Sequence, residues 1–314
     1  MPNCPIIYHD GYNIQAFGFE NLHPFDSCKW RRVVNFLTES VALTTSMLME
    51  PTEPTAEQLL KVHSDKYLKS IRKPIKAAQI VEVGMIGVFP PCIIDSRLLR
   101  PLRLQTGGSV LAAEMCLTYG WAINIGGGFH HASYEDGGGF CFYADITLAI
   151  RELLDAQKIS NAIIVDLDAH QGNGHARDFS TNPSVYIFDM FNPHIYPHDR
   201  EARQYINNAV HLDHHTTDNG YISMLKKQLA KSLSTQSFDI LIYNAGTDCL
   251  DSDPLGGMSL SPQAILDRDE VVFKMAKSCG IPICMLTSGG YQKNNARIIA
   301  NSILNLRAKK LINF

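Results

Sequence analysis

The 314-residue sequence predicts an α/β fold built on a parallel sheet flanked by helices. Three observations predict it. From Gly107 onward, helical stretches alternate with short apolar runs, as in strand–helix–strand units. Four of five such runs are followed at once by glycines, histidines or acids, and in parallel sheets ligands gather at the carboxyl ends of strands. Apolar residues make up 45% of the chain, enough to bury a large core.

The expected strands are Trp121 to Ile125, Ala162 to Asp166, Val185 to Phe188, Ile240 to Tyr243 and Ile283 to Leu286. The helices carry start and stop signals. Thr55 and Gln58 form a capping-box pattern ahead of Leu59 and Leu60. Ser261 and Pro262 fit the cap and first helical position, and Gly280 the residue just past the end. Tyr221, Leu225, Leu229 and Leu233 recur at helical spacing, as do Ile146, Ile150, Leu153 and Leu154; core packing accounts for both stripes. Residues 72 to 105, with Pro74, Pro90, Pro91 and Pro101, are expected to form a long loop region. With no repeat, low-complexity stretch or linker, residues 1–314 are expected to be a single catalytic domain.

Composition excludes several classes. The net charge of −3 and the lack of a basic patch argue against direct nucleic-acid binding. No apolar run approaches the roughly 18 residues of a membrane span. Met1-Pro2-Asn3-Cys4 lacks a basic and an apolar leader region, which argues against secretion. Cys4, Cys28, Cys92, Cys116, Cys141, Cys249, Cys279 and Cys284 form no Cys-x-x-Cys pair and are expected to be reduced thiols in an intracellular protein.

Asp166-Leu167-Asp168-Ala169-His170 is the most informative stretch. In extended backbone, residues two apart point the same way, so Asp168 and His170 can aim at one point. Asp248, leaving another strand, can supply a third ligand. Three protein ligands with an open position is the plan of a catalytic zinc site, although two oxygens and one imidazole also suit iron(II) or manganese. Any one of these acids alone would be a loop residue capping a helix; the set, beside glycine turns, points to a metal. His130 and His131 follow Gly126-Gly127-Gly128 and can supply a base and an acid. Asp166 can hold one imidazole in its working tautomer. Tyr291, after Ser288-Gly289-Gly290, can donate to an oxyanion. Phe140, ending Gly137-Gly138-Gly139, is expected either to wall an apolar channel or to pack in the core. Cys141 and Cys249 are expected to be structural, His211, His214 and His215 exposed loop histidines, and His194 and His198 rim residues.

Together these motifs resemble the zinc-dependent histone deacetylases, most closely their class IV, histone deacetylase 11-like branch. The resemblance runs through Leu22 to Asp26, Leu102 to Gly108, Trp121 to His131, Asp166 to Gly174, Tyr243 to Asp248 and Ser288 to Ile299. It implies an open sheet with helices on both faces, of the arginase–deacetylase type. It implies one zinc on Asp168, His170 and Asp248, with His131 as base, His130 steered by Asp166, and Tyr291 polarising the carbonyl. It further implies substrate contacts at Gly139, Phe140, Tyr196 and Gly290, and a structural potassium ion near Asp166, Asp168, His170, Asp189 and Met190. Asn173 stands where many members carry an acid behind the second histidine, a pattern the class IV branch shares; it adds no charge and favours a neutral His131. No acid falls in residues 84 to 94 to grip a substrate backbone. The implied substrate is an acyl-lysine protein or peptide, with long fatty acyl groups beside or ahead of acetyl, and the implied location is nucleus or cytoplasm. Two rivals stand beside this reading. A binuclear manganese arginase-like enzyme would need acids where Gly172 and Leu250 stand, and a non-catalytic acyl-lysine binding scaffold would not need His130, His131 and Tyr291. A serine hydrolase lacks its Gly-x-Ser-x-Gly turn.

Overall fold

The computed structural model describes residues 4–15 and 26–314. Leu22 to Phe25 of the first resembling stretch lie outside the described residues. Among the described residues, seven strands form one sheet: β1 (Ile6–Ile7), β2 (Trp121–Asn124), β3 (Ala162–Asp166), β4 (Val185–Phe191), β5 (Asn208–His211), β6 (Ile240–Asn244) and β7 (Ile283–Leu286). Their order is β1-β2-β7-β6-β3-β4-β5, and every neighbouring pair is parallel. The central strands β2, β3, β6 and β7 are buried at every residue, which is why they read as unbroken apolar runs and not as alternation.

All five expected strands are present. The two edge strands were not expected. β1 has two residues, too few for any period to register, and in β5 Val210 is the one buried residue. His211 is therefore the last residue of β5 and not a loop residue, a correction to the expectation above; it remains exposed.

Helices cover both faces. On one lie Lys29–Val41, Asp218–Leu233, Pro262–Ser278 and Asn295–Ala308, packed on the apolar cluster that includes Ile123, Val165 and Tyr243. On the other lie Arg100–Tyr119 and Asp145–Asp155, packed on the cluster that includes Ala122, Ile164 and Ile242. The Thr55–Gln58 capping box forms, Ser261 caps the helix that Pro262 begins, and Gly280 takes a left-handed φ of 69°. The long loop expected over 72 to 105 is corrected: helices Pro74–Val81 and Pro91–Ile94, a π-helical turn Asp95–Leu99 and the start of Arg100–Tyr119 occupy most of it. Pro74 and Pro91 each sit in a first turn, where the missing N–H has no intrahelical partner to lose, so they open helices instead of breaking them, whereas Pro101 follows directly on the π-helical turn within one continuous helical run from Pro91 to Tyr119. This region forms a third apolar cluster with Phe129, Phe142 and Tyr143.

The strand order places the carboxyl ends of β2, β7, β6 and β3 side by side. The glycine–histidine, Ser288–Tyr291, Thr247–Asp248 and Asp166–His170 segments leave from those four ends.

Candidate active site

Beyond β3 the chain turns so that its own acids hold it. Asp166 Oδ1 accepts from the Asp168 amide at 3.2 Å, and Asp168 Oδ1 accepts from the His170 amide at 3.0 Å. Asp248 arrives from β6 and accepts from the Ala169 amide at 2.8 Å, locking the two loops together. Gly246 lets them approach: a Cβ there would lie 2.0 Å from Asp168 Oδ2. His170 Nδ1 lies 3.1 Å from Asp168 Oδ1 and 2.8 Å from Asp248 Oδ2. Ligand atoms of all three residues fall within 4.8 Å of one another, and all three residues are buried. A tetrahedral zinc with bonds near 2.0–2.1 Å would set its ligands ~3.3 Å apart, close to these separations. Charge points the same way. Burial opposes ionisation of Asp168, but the His130 and His170 imidazoles pull its carboxyl well below the usual range. Burial and the Asp168 charge push Asp248 up to about 7. Buried carboxylates packed this closely repel one another, and a divalent cation would relieve that repulsion. The residues present fit a metal ion.

The histidine pair leaves β2 through a left-handed turn. Gly128 has φ 79°, and a Cβ there would meet Asn244 Oδ1 at 2.3 Å. Buried Asp145 accepts from the Gly128 and Phe129 amides, each at 2.8 Å, and so fixes the turn. His130 Nδ1 bonds Asp166 Oδ2 at 2.8 Å; His131 Nδ1 bonds Asn173 Oδ1 at 2.7 Å, with the imidazole rings 4.1 Å apart. An amide oxygen only accepts, so His131 Nδ1 carries the proton and Nε2 keeps its lone pair. Burial alone would lower His130, but the Asp166 and Asp168 carboxylates override it and raise it to about 9. Burial, then the His130 and His170 charges, holds His131 well below its ordinary value. The two carboxylates thus favour the charged form of His130, while burial favours the neutral form of His131.

Tyr291 stands opposite. Its ring is 6.3 Å from that of His170 and packs edge-on to Phe140 at 5.8 Å. Burial, then the Asp248 and Asp168 charges, pushes its phenol well up, so it remains a donor. Gly139 is squeezed between His131 and Tyr196: a Cβ would lie 2.4 Å from His131 Cδ2 and 2.8 Å from Tyr196 Cε1. Tyr196, 40% exposed, sets its ring edge-on to His131 at 4.8 Å. The site opens into a cavity of about 110 Å³ bordered by His130, His131, Gly139, Phe140, Asp168 and Tyr291. The remaining walls are mainly apolar: Val81, Val83, Ile86 and Phe89 from one segment, Ile93, Ile94, Leu98 and Leu102 from the next, with Trp30 and Phe129.

Some expected residues lie elsewhere. Gly289, not Gly290, borders the cavity; a Cβ on Gly290 would meet Asn295 and Thr247. His194 and His198 are exposed and outside the cavity lining, with His194 stacked on His214 at 6.4 Å. Cys141 lines the cavity, Cys249 lies buried next to Asp248, and none of the eight cysteines is in a disulfide. Asp189 pairs in register with Asp166, accepts from the Gly172 amide at 2.9 Å and leaves buried Oδ1 without a partner among the described residues; burial and the Asp166 charge push its carboxyl up.

Sequence reading also missed several contributors. Buried His175 bonds Asp166 Oδ2 from behind at 2.9 Å; its place two residues after Asn173 was the available signal. Buried Lys29 donates to the carbonyls of Ser288, Gly289 and Gly290 at 2.8, 3.2 and 3.3 Å. Asp253 accepts from the Tyr291 amide at 2.8 Å. Nothing near Lys29 or Asp253 in the sequence marks them.

The comparisons with known proteins agree with this geometry. The histone deacetylase domain model matches residues 23–306. The chain is 47% identical to histone deacetylase 2 of Arabidopsis thaliana over 99% of its own length and 81% of that protein. It is 28% identical to human histone deacetylase 1 over 92% of its length and 61% of that protein. In fold, it superposes on the crystal structure of the HDA15 HD domain with a TM-score of 0.77 at 19% identity, covering 98% of this chain and 89% of that one, in keeping with the arginase–deacetylase type. A deacetylase fold, a buried Asp-His-Asp group and a family match across most of the sequence lead to one assignment: the chain belongs to the histone deacetylase family.

Proposed function

We propose that this protein hydrolyses acyl-lysine amides using one zinc ion held by Asp168, His170 and Asp248, and that it belongs to the class IV branch. The observation that carries the reading is the convergence of His130, His131 and the Tyr291 phenol on one buried Asp-His-Asp group. When bound, zinc polarises the acyl carbonyl and lowers the pKa of a water. His131 Nε2 then takes the proton of the attacking water. The Tyr291 hydroxyl donates to the developing oxyanion. His130, held by Asp166, stabilises the negative charge, and the departing lysine amine takes its proton from the pair. Gly139, Phe140 and Tyr196 flank the lysine stem, and Asn173 orients His131 without adding charge.

The apolar lining beyond Phe140 supports long fatty acyl groups as substrates alongside acetyl. The buried Asp189 Oδ1, without a partner among the described residues, supports a structural potassium ion near Asp166, Asp168, His170, Asp189 and Met190. Against the binuclear rival, Gly172 has no side chain to offer and Leu250 is buried and apolar. No helix among the described residues is long and apolar enough to cross a membrane. On resemblance, the proposed place of action is nucleus or cytoplasm.

A panel of acyl-lysine peptides of rising chain length, with and without chelator, tests the reading, alongside a metal count per protein. The expected result is chelator-sensitive turnover lost in His131→Ala, with one zinc per chain. Two manganese ions per chain, or no turnover on any acyl chain, would refute it.

A further inference from the structure

We infer that Arg268 and Asp269 form a buried clamp that sets the spacing of the metal ligands, which makes Arg268 a positioning residue. The inference rests on the reading of Asp168, His170 and Asp248 as ligands. Arg268 sits on helix Pro262–Ser278, outside the cavity lining, and is 0% exposed. β3 and β6 pair in register as far as Asp166 and Asn244. One more backbone bond, from the Leu167 amide to Asn244 O at 3.0 Å, follows; past it they part into the two loops that carry the ligands, where the Ala169–Asp248 bond is joined by a second tie.

The guanidinium of Arg268 supplies that second tie. Nη1 donates to Leu167 O at 3.2 Å and to Gly246 O, and Nη2 donates to Ala245 O at 3.3 Å. Nη1 also lies 3.4 Å from Cys249 Sγ, next to Asp248. One planar group therefore ties Leu167, between Asp166 and Asp168, to Ala245 and Gly246 ahead of Asp248 and to Cys249 after it. The guanidinium is itself fixed. Nε donates to Asp269 Oδ1 at 2.9 Å, and Asp269 also accepts from the Tyr243 and Ser302 hydroxyls. Tyr243 belongs to β6, so the anchor and the strand it serves are joined.

Arginine suits this task. Its rigid fork presents five donors in a plane and can reach two loops at once, whereas a lysine ammonium is a single point. A buried ion pair is seldom better for stability than a well-packed apolar pair, so a role in core stability alone does not account for it.

The test reads zinc affinity apart from turnover. Arg268→Lys keeps the charge but loses the fork. Its zinc dissociation constant, measured by competition with a chromophoric chelator, should rise ~10–100-fold, as when a group supporting metal ligands is lost. The visible spectrum of the cobalt(II)-loaded variant should shift, reporting altered ligand geometry. Tyr243→Phe is the structural control: it removes one bond to Asp269 in the same buried cluster and leaves the guanidinium on the loop carbonyls. At a comparable loss of melting temperature it should change zinc affinity less than ~3-fold. If Arg268→Lys does not fold, Asp269→Asn replaces it, with an expected ~10-fold weakening. Parental affinity and spectrum, or an effect equal to that of Tyr243→Phe, would overturn the clamp. A parent protein that binds no zinc would sink the metal reading with it, whereas a zinc-binding parent with indifferent variants sinks the clamp alone.

Discussion

Filling the apolar chamber should shorten the acyl chain that the site accepts. Ile86 lines the cavity and is only partly buried, so a larger ring there can fill the chamber without disrupting the packed cluster behind it. Each methylene moved from water into such a chamber is worth about 0.8 kcal/mol, or roughly fourfold in kcat/KM. In the parent, kcat/KM should therefore climb with each added carbon until the chamber is full, then level off. Tryptophan exceeds isoleucine by roughly two to three methylene volumes, so Ile86→Trp should move the plateau down by that many carbons. Long-chain substrates would lose about 1.6–2.4 kcal/mol of transition-state binding, roughly 15- to 60-fold in kcat/KM, while acetyl-lysine is unaffected. The assay is initial-rate kinetics on one peptide carrying acyl chains from two to sixteen carbons. A parent profile flat beyond acetyl would refute the reasoning, as would an Ile86→Trp variant that slows acetyl and long-chain substrates alike.

Three further outcomes are expected. Tyr291→Phe removes the oxyanion donor and should lower kcat ~10²–10³-fold with little change in zinc content; near-parental kcat would remove Tyr291 from the chemistry. His63 is 0% exposed, and burial holds its imidazole down from 6.5 to about 4. The unfolded chain takes up this proton first as the pH falls, so stability is unaffected above about 6.5 and is lost between about 6.5 and 4, by about 3 kcal/mol in all. Because His63 Nε2 accepts from the Ala144 amide at 2.9 Å, His63→Gln keeps an acceptor and removes the titration; urea melts across that range should show a flatter acid limb, and an unchanged slope would exclude His63 as its source. Thr55→Ala opens the capping box and should cost about 1 kcal/mol by urea denaturation without altering turnover; a cost below ~0.3 kcal/mol would show that this helix is held by packing alone.

Much of the site was legible because its parts obey short-range rules. Asp168 and His170 share a direction because they are two residues apart on an extended chain, and Asp166 could be assigned to an imidazole for the same reason. The central strands announced themselves as buried apolar runs, and the caps at Thr55 and Ser261 act within three residues of themselves. The helical stretch from Pro74 to Leu104 was misread because proline is ambiguous: it breaks a helix from within and begins one at the first turn, and only packing of Leu98, Leu99 and Leu102 decides which.

By itself, then, the sequence determined which residue types leave each strand end and how neighbours along the chain are aimed, since backbone geometry acts over a few residues. The tertiary structure decided which strand ends are neighbours, and so which distant groups meet. His130 finds Asp166 across 36 positions, Lys29 reaches the carbonyl of Ser288 across 259, and Arg268 spans 101 to Leu167. Such partners are selected by the order of strands in the sheet and by burial that leaves each polar group one place to bond, and no local pattern in the chain encodes either.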